Sequence, residues 1–275
     1  MLILTKLIDS TAPLPRSVTL LNQLRLDPDR SLGDVIRIVE TDPVLSAKIL
    51  ALVNTPFYGV RRKITSISAA CVQLGEVTIY STALIAGIHS SFKFNLEPYG
   101  LNEKEFMLNT LMQMNLMNEW IRLAKPAFAD ELRLAAFLSD IGKIIISQLL
   151  IQEKKVEQFK QKLQNNIIES IAEKDTIGAT TLQVSALMLQ HWGVNEDITK
   201  LLQYTNASNR VPDNMKIPVS MMETTRNIWH SWNKKSEEIR QEAIEGYLVF
   251  DTDTFYMYEQ SLNRVLDKLE NIRVS

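Results

Sequence analysis

The segment Ala135-Ala136-Phe137-Leu138-Ser139-Asp140-Ile141-Gly142-Lys143 places a polar pair inside an apolar run. Leu132, Ala135, Ala136 and Ser139 recur at i, i+3, i+4 and i+7, so Ser139 continues the apolar face of a helix. Asp140 follows at the edge of that face and precedes Ile144-Ile145-Ile146. A carboxylate so placed is not a simply solvated charge, because burying an ion without a partner is costly. Two chemistries suit it. It could ligate a divalent metal, or it could cap the next helix, whose N-terminal dipole favours its charge. The residues alone favour the cap.

Other reactive residue types are sparse. His89, His191 and His230 form no His-x3-His spacing, and each reads as a packing or capping residue. Cys71 lies on the stripe Ile67, Ala70, Cys71 and Leu74 and reads as a buried small hydrophobe. The sequence holds neither a phosphate-cradling Gly-rich loop followed by Lys and Ser or Thr, nor a nucleophile elbow. The stretch NTPFYGVRRK is a second candidate. There Asn54 ends a helix, Pro56 and Gly59 shape a turn, and Phe57 and Tyr58 add aromatic surface. Arg61, Arg62 and Lys63 follow as three successive cations able to dock an acidic partner or a phosphate. The Asn and aromatic positions read as architectural, and the basic triplet as the part freer to interact.

The elements that must position these residues are helical throughout. Ser31 and Asp34 form a capping box ahead of Leu32, Val35, Ile36 and Val39. Asp42-Pro43 reads as an N-cap followed by Pro at the first helical position, and Ser66 opens a helix that Gly75 stops. Further helices are expected over 76–92, 102–123, 130–150 (interrupted near Gly142), 153–164, 167–174, 180–192 and 195–205. Helices near 216–231, 234–248 and 253–272 complete the expectation, carrying Trp229, Trp232, Tyr247, Phe250, Phe255, Tyr256 and Tyr258 as core or contact aromatics. Residues 93–100, with Pro98 and Gly100, break the pattern, so two helical halves are expected, 1–100 and 101–275. A hydrophobic share of 45% supports a substantial core. The net charge of −2 gives no global attraction for DNA, RNA or an anionic membrane. One cysteine excludes an intramolecular disulfide and suits the cytoplasm, and no uncharged apolar stretch approaches the ~18 residues of a spanning helix.

The chain resembles the HDOD domains, HD-related output domains of bacterial signalling proteins. The resemblance rests on Leu14-Pro15, Asp42-Pro43, Asn54 with Phe57-Tyr58-Gly59, Ile64-Thr65-Ser66-Ile67 and Leu74-Gly75, and on the later blocks AAFLSDIGKIIIS and LQVSALMLQHWGVNEDI. It covers about residues 13–205 and implies an all-α fold of two packed helical subdomains, the second related to HD-domain metal phosphohydrolases. In those enzymes a histidine, a His–Asp pair and a further aspartate hold the metal. Carried over by the resemblance, the first histidine falls near Asn109, the pair on Ser139–Asp140, and another family histidine near Thr181. Only Asp140 keeps ligand chemistry, so no metal or other cofactor and no catalytic residue is expected. The resemblance implies a signalling module acting through a protein partner; the two-part organisation alone suggests a small regulatory ligand, and homodimer formation is a separate reading. The alternative is a metal-dependent phosphohydrolase acting on a nucleotide or phosphoester.

Overall fold

The structure is a computed structural model and describes residues 2–9, 14–91, 95–124, 126, 128–165, 168–205, 211–228 and 252–274. Every regular element among the described residues is a helix. The expected helix at 234–248 lies outside them. The chain divides into two compact units, Ala12–Phe92 with Asp267–Ser275, and Met1–Thr11 with Lys93–Leu266.

The smaller unit holds α2 (Arg16–Leu24), α3 (Leu32–Glu40), α4 (Pro43–Val53), α5 (Ile67–Leu74) and α6 (Glu76–Ser91). Its helix starts are made locally. Ser31 Oγ accepts from the Asp34 amide while Asp34 Oδ2 accepts from the Ser31 amide, satisfying two donors that a helix start leaves open. Asp42 Oδ1 accepts from the amides of Val44 and Leu45, each at 3.0 Å. The Ser17 hydroxyl donates to Asp42 Oδ2 at 2.6 Å. The Leu45 amide and then Ser17 hold this carboxyl below its ordinary range. Gly75, at φ +77°, ends α5, and the chain bends by 111° into α6. That positive φ is open to glycine at no steric cost. Val18, Val39, Ile49, Val53, Cys71 and Ile79 fill the core between these helices. Burial, and then Glu40, push the Cys71 thiol up to about 11, so it packs as an inert small hydrophobe.

The larger unit holds α1 (Leu2–Asp9), α7 (Glu103–Ala124), α8 (Ala129–Leu138), α9 (Gly142–Gln152), α10 (Val156–Gln164), α11 (Glu169–Ile177), α12 (Thr181–His191), α13 (Glu196–Tyr204) and α14 (Lys216–Ile228). The first part of α15 (Thr252–Val274) belongs to it as well. Helix α9 is its central element and packs on α12, α1 and α11. From Gly142 to Ser147 it is buried on every side, including Lys143. The stretch Ala129–Gln152 is apolar and long enough to cross a membrane, but 89% of its apolar window is buried within the protein, which marks a core helix pair. Tyr258 of α15 closes over Trp120 of α7 with ring centroids 4.8 Å apart.

Helices α9 and α12 touch backbone to backbone at Gly142. A Cβ there would lie 2.3 Å from the Thr181 carbonyl oxygen and 2.8 Å from the Ser185 nitrogen. The Gly142 amide donates to Ser185 Oγ at 2.8 Å, and that hydroxyl donates to the Ser139 carbonyl at 2.8 Å. Gly142→Ala should therefore force the two helices apart and cost about 3 kcal/mol, as overpacking of a tight core does. Thermal unfolding measures it. An unchanged midpoint would mean that the contact is not tight.

Candidate functional site

Ser139 and Asp140 occupy the junction between α8 and α9, and both are buried. Gln113, on α7, bridges them. Its Nε2 donates to Asp140 Oδ2 at 2.8 Å, and its Oε1 accepts from the Ser139 hydroxyl at 2.9 Å. Arg226, on α14, places Nη1 3.2 Å from Asp140 Oδ1 and 3.1 Å from the Ser139 carbonyl oxygen. Lys143, in the first turn of α9, lies 3.7 Å from Asp140 Oδ1 and 3.0 Å from Glu169 Oε1. Two buried cations thus face two carboxylates, and the core stays close to neutral.

The cap expected of Asp140 is not what forms. Helix α9 has Ile141 at its N-cap position, with no side-chain cap. The Asp140 carboxylate turns instead toward α7 and α14, because an ion pair with a guanidinium offers a buried carboxylate more than neutral amides do.

A second layer surrounds Lys143. Its ammonium sits 5.3 Å from the centre of the Tyr99 ring. Burial alone would lower its pKa, but Asp140, Glu169 and Glu173 outweigh both burial and Arg226 and hold it above the ordinary lysine value. The Tyr99 hydroxyl donates to Glu173 Oε1 at 2.8 Å. Glu173 also accepts from the Thr181 amide at 2.7 Å and from the Thr181 hydroxyl. Burial, and then repulsion from Glu169, push the Glu173 carboxyl up to about 7 against the Thr181 bonds and the Lys143 charge.

The four positions named from the resemblance fall in this region. Ser139 and Asp140 share Gln113, and the Thr181 carbonyl lies against Gly142. Asn109 is buried one helical turn before Gln113 on α7. Its amide oxygen has no hydrogen-bond partner among the described residues. The polar residues that complete the cluster, Gln113, Glu169, Glu173, Ser185 and Arg226, were not singled out in the sequence. Lys143 carried one signal, a lone charge beside three isoleucines. Arg226 carried none, since it comes from 87 residues away in the chain.

The second candidate, in the smaller unit, is a clipped loop. Asn54 Nδ2 donates to the carbonyls of Leu50 at 2.7 Å and Ile64 at 2.8 Å, and Oδ1 accepts from the Ile64 amide at 2.8 Å. At about 1 kcal/mol each, these bonds fix a ten-residue excursion by one side chain. Inside it Pro56–Tyr58 forms a single 3₁₀ turn that ends at Gly59, φ +57°. Burial raises the Tyr58 phenol above its usual range. The Phe57 side chain lies outside the described residues. Arg61, Arg62 and Lys63 are all exposed. Of the histidines, His191 is on the surface with Nδ1 3.5 Å from Asp9 Oδ1. The His89 side chain and His230 lie outside the described residues.

Glu173 makes the larger unit sensitive to pH. Folded, it keeps its proton to about pH 7, whereas its ordinary value is 4.5. The folded state therefore binds more protons in that window, and stability falls as pH rises through it. Tyr99, Thr181, Glu169 and Lys143 are the groups that face it. Between about pH 5 and pH 8 the wild-type protein should lose on the order of 3 kcal/mol that Glu173→Gln does not lose. Urea unfolding across that range measures the slope, and parallel slopes for the two proteins would contradict it.

The HDOD domain family model matches residues 12–208. No curated protein matches the sequence. Among solved structures the chain is similar to a candidate phosphohydrolase from Shewanella amazonensis SB2B, at TM-score 0.72 and 18% identity, over 98% of this chain and 96% of that one. It is similar to a candidate signal transduction protein from Marinobacter aquaeolei VT8, at TM-score 0.73 and 18% identity, over 96% of this chain and 58% of that one. A third is an HDOD domain protein of unknown function from Geobacter sulfurreducens, at TM-score 0.63 and 17% identity, over 98% and 96%. At such identities these likenesses concern the fold. The family match spans most of the sequence, and the chain belongs to the HDOD domain family.

Proposed function

We propose that this chain is a cytoplasmic signalling module that acts by binding another protein and does not hydrolyse phosphoesters. The observation that carries the reading is the state of Asp140: its carboxylate is held by Gln113 and paired with Arg226 and Lys143. Catalytic transition-metal sites are built from about three imidazole or carboxylate ligands with one coordination position open. Here Asn109, Ser139 and Thr181 offer only neutral oxygens, and the two hydroxyls donate to Gln113 and Glu173. A divalent ion on Asp140 would have to displace a guanidinium and then sit beside an ammonium. Among the described residues no three His, Cys, Asp or Glu side chains gather to hold a metal. The donor set does not fit a metal of the HD type.

The output surface in this reading is the loop clipped by Asn54. It presents Arg61, Arg62 and Lys63 to solvent on a backbone that is already ordered, which lowers the entropic cost of docking an acidic partner. The opposing reading, a phosphohydrolase, draws on the fold shared with the Shewanella amazonensis protein. A shared fold does not carry an activity.

Two measurements test the proposal together. Incubated with Mn²⁺ and either p-nitrophenyl phosphate or nucleoside triphosphates, the protein should give no turnover above buffer, and Asp140→Ala should be indistinguishable from wild type. Affinity capture from the source cells should retain a partner at low salt that the Arg61→Ala, Arg62→Ala, Lys63→Ala variant loses by tenfold or more, without a change in unfolding midpoint. Turnover abolished by Asp140→Ala would overturn the reading.

A further inference from the structure

Arg226 lies beyond the segment matched by the family, which ends at residue 208. Yet α14 packs on α7 and α8, and Arg226 reaches the α8–α9 junction with its side chain 12% exposed, against 7% for Asp140. We infer that the Arg226 guanidinium is a built-in countercation that stands in place of a divalent metal on Asp140, so that α14 is a latch on which the junction depends. The inference deepens the proposed reading and rests on its premise that Asp140 holds no metal.

Charge arithmetic singles out Arg226 over Lys143. Lys143 is shared between Glu169, at 3.0 Å, and Asp140, at 3.7 Å, so it cannot neutralise both carboxylates. Asp140 and Glu169 carry two negative charges, and Lys143 and Arg226 two positive ones. Removing Arg226 leaves Asp140 and Glu169 sharing the single charge of Lys143 in a buried site, which is costlier than losing a surface pair. The guanidinium has a second role. It donates to the Ser139 carbonyl, at the C-terminal end of α8, where a cation also meets the negative end of the helix dipole. A single guanidinium nitrogen, Nη1, makes both contacts, an ion pair to the carboxylate and a hydrogen bond to the carbonyl. One side chain from α14 therefore ties together the end of α8 and the residue that leads into α9.

A double-mutant cycle on the full chain in chelator-treated buffer tests this, with Asp140→Asn, Arg226→Met and the pair measured by thermal unfolding. Arg226→Met alone should lower the midpoint by roughly 10 °C. Adding Asp140→Asn to it should recover part of that loss, because the orphaned charge is then gone. If Arg226→Met does not fold, Arg226→Lys takes its place in the cycle and should lose several degrees less when combined with Asp140→Asn than the two single losses summed. Additive losses in the cycle overturn the inference. The cycle uses no partner, so its failure leaves the interaction reading standing, and a failed capture experiment leaves the charge coupling standing.

Discussion

A carboxylate removed from water has to be met by positive charge and hydrogen-bond donors, or its helix cannot be buried. In this chain that condition applies to Asp140, and much of the larger unit can be understood as its consequence. Helix α7 supplies an amide donor through Gln113, α14 supplies a guanidinium, and α9 supplies the Lys143 ammonium from its own first turn. Lys143 in turn has to be balanced, and Glu169 of α11 does so. Each buried charge recruits the next element, so a single polar position organises the packing of helices that are distant in sequence.

The same chain of requirements reaches Glu173. With Lys143 shared between Asp140 and Glu169, Glu173 keeps only part of its benefit and relies on Thr181 and Tyr99 for hydrogen bonds. Burial, and then repulsion from Glu169, push its carboxyl up to about 7 against the Thr181 bonds and the Lys143 charge. Meanwhile Gly142 allows α9 to approach α12 closely enough for Ser185 to bond both sides of the junction. Electrostatics and close packing therefore act on one short stretch of backbone, from Ser139 to Lys143, and the geometry there leaves little freedom for an added ligand.

How far the sequence foretold this depends on the distance over which each interaction acts. The capping box at Ser31 and Asp34, the Asp42-Pro43 start and the Gly75 stop were readable because their partners lie within a few residues. The buried Cys71 followed from helical periodicity in the same way. The all-α class followed from the sum of such local signals. At Asp140 local reasoning favoured a helix cap, and the structure gives an ion pair instead. The reason is physical: its partners, Gln113 and Arg226, come from 27 and 86 positions away, and neither has a local pattern that marks it. Sequence could flag that Asp140 needed a partner but not choose between a metal and an arginine. Asn54 was readable in part. Its place at a helix end was evident, but the Ile64 clasp that fixes the basic loop was not.

The central claim is that protein cations, not a metal ion, neutralise Asp140. Electron paramagnetic resonance of the purified chain titrated with Mn²⁺ tests it most directly, because free and bound Mn²⁺ give distinct signals. The account predicts a spectrum of free ion throughout, the same for wild type and Asp140→Asn. One tightly bound Mn²⁺ per chain, lost on Asp140→Asn, would contradict it.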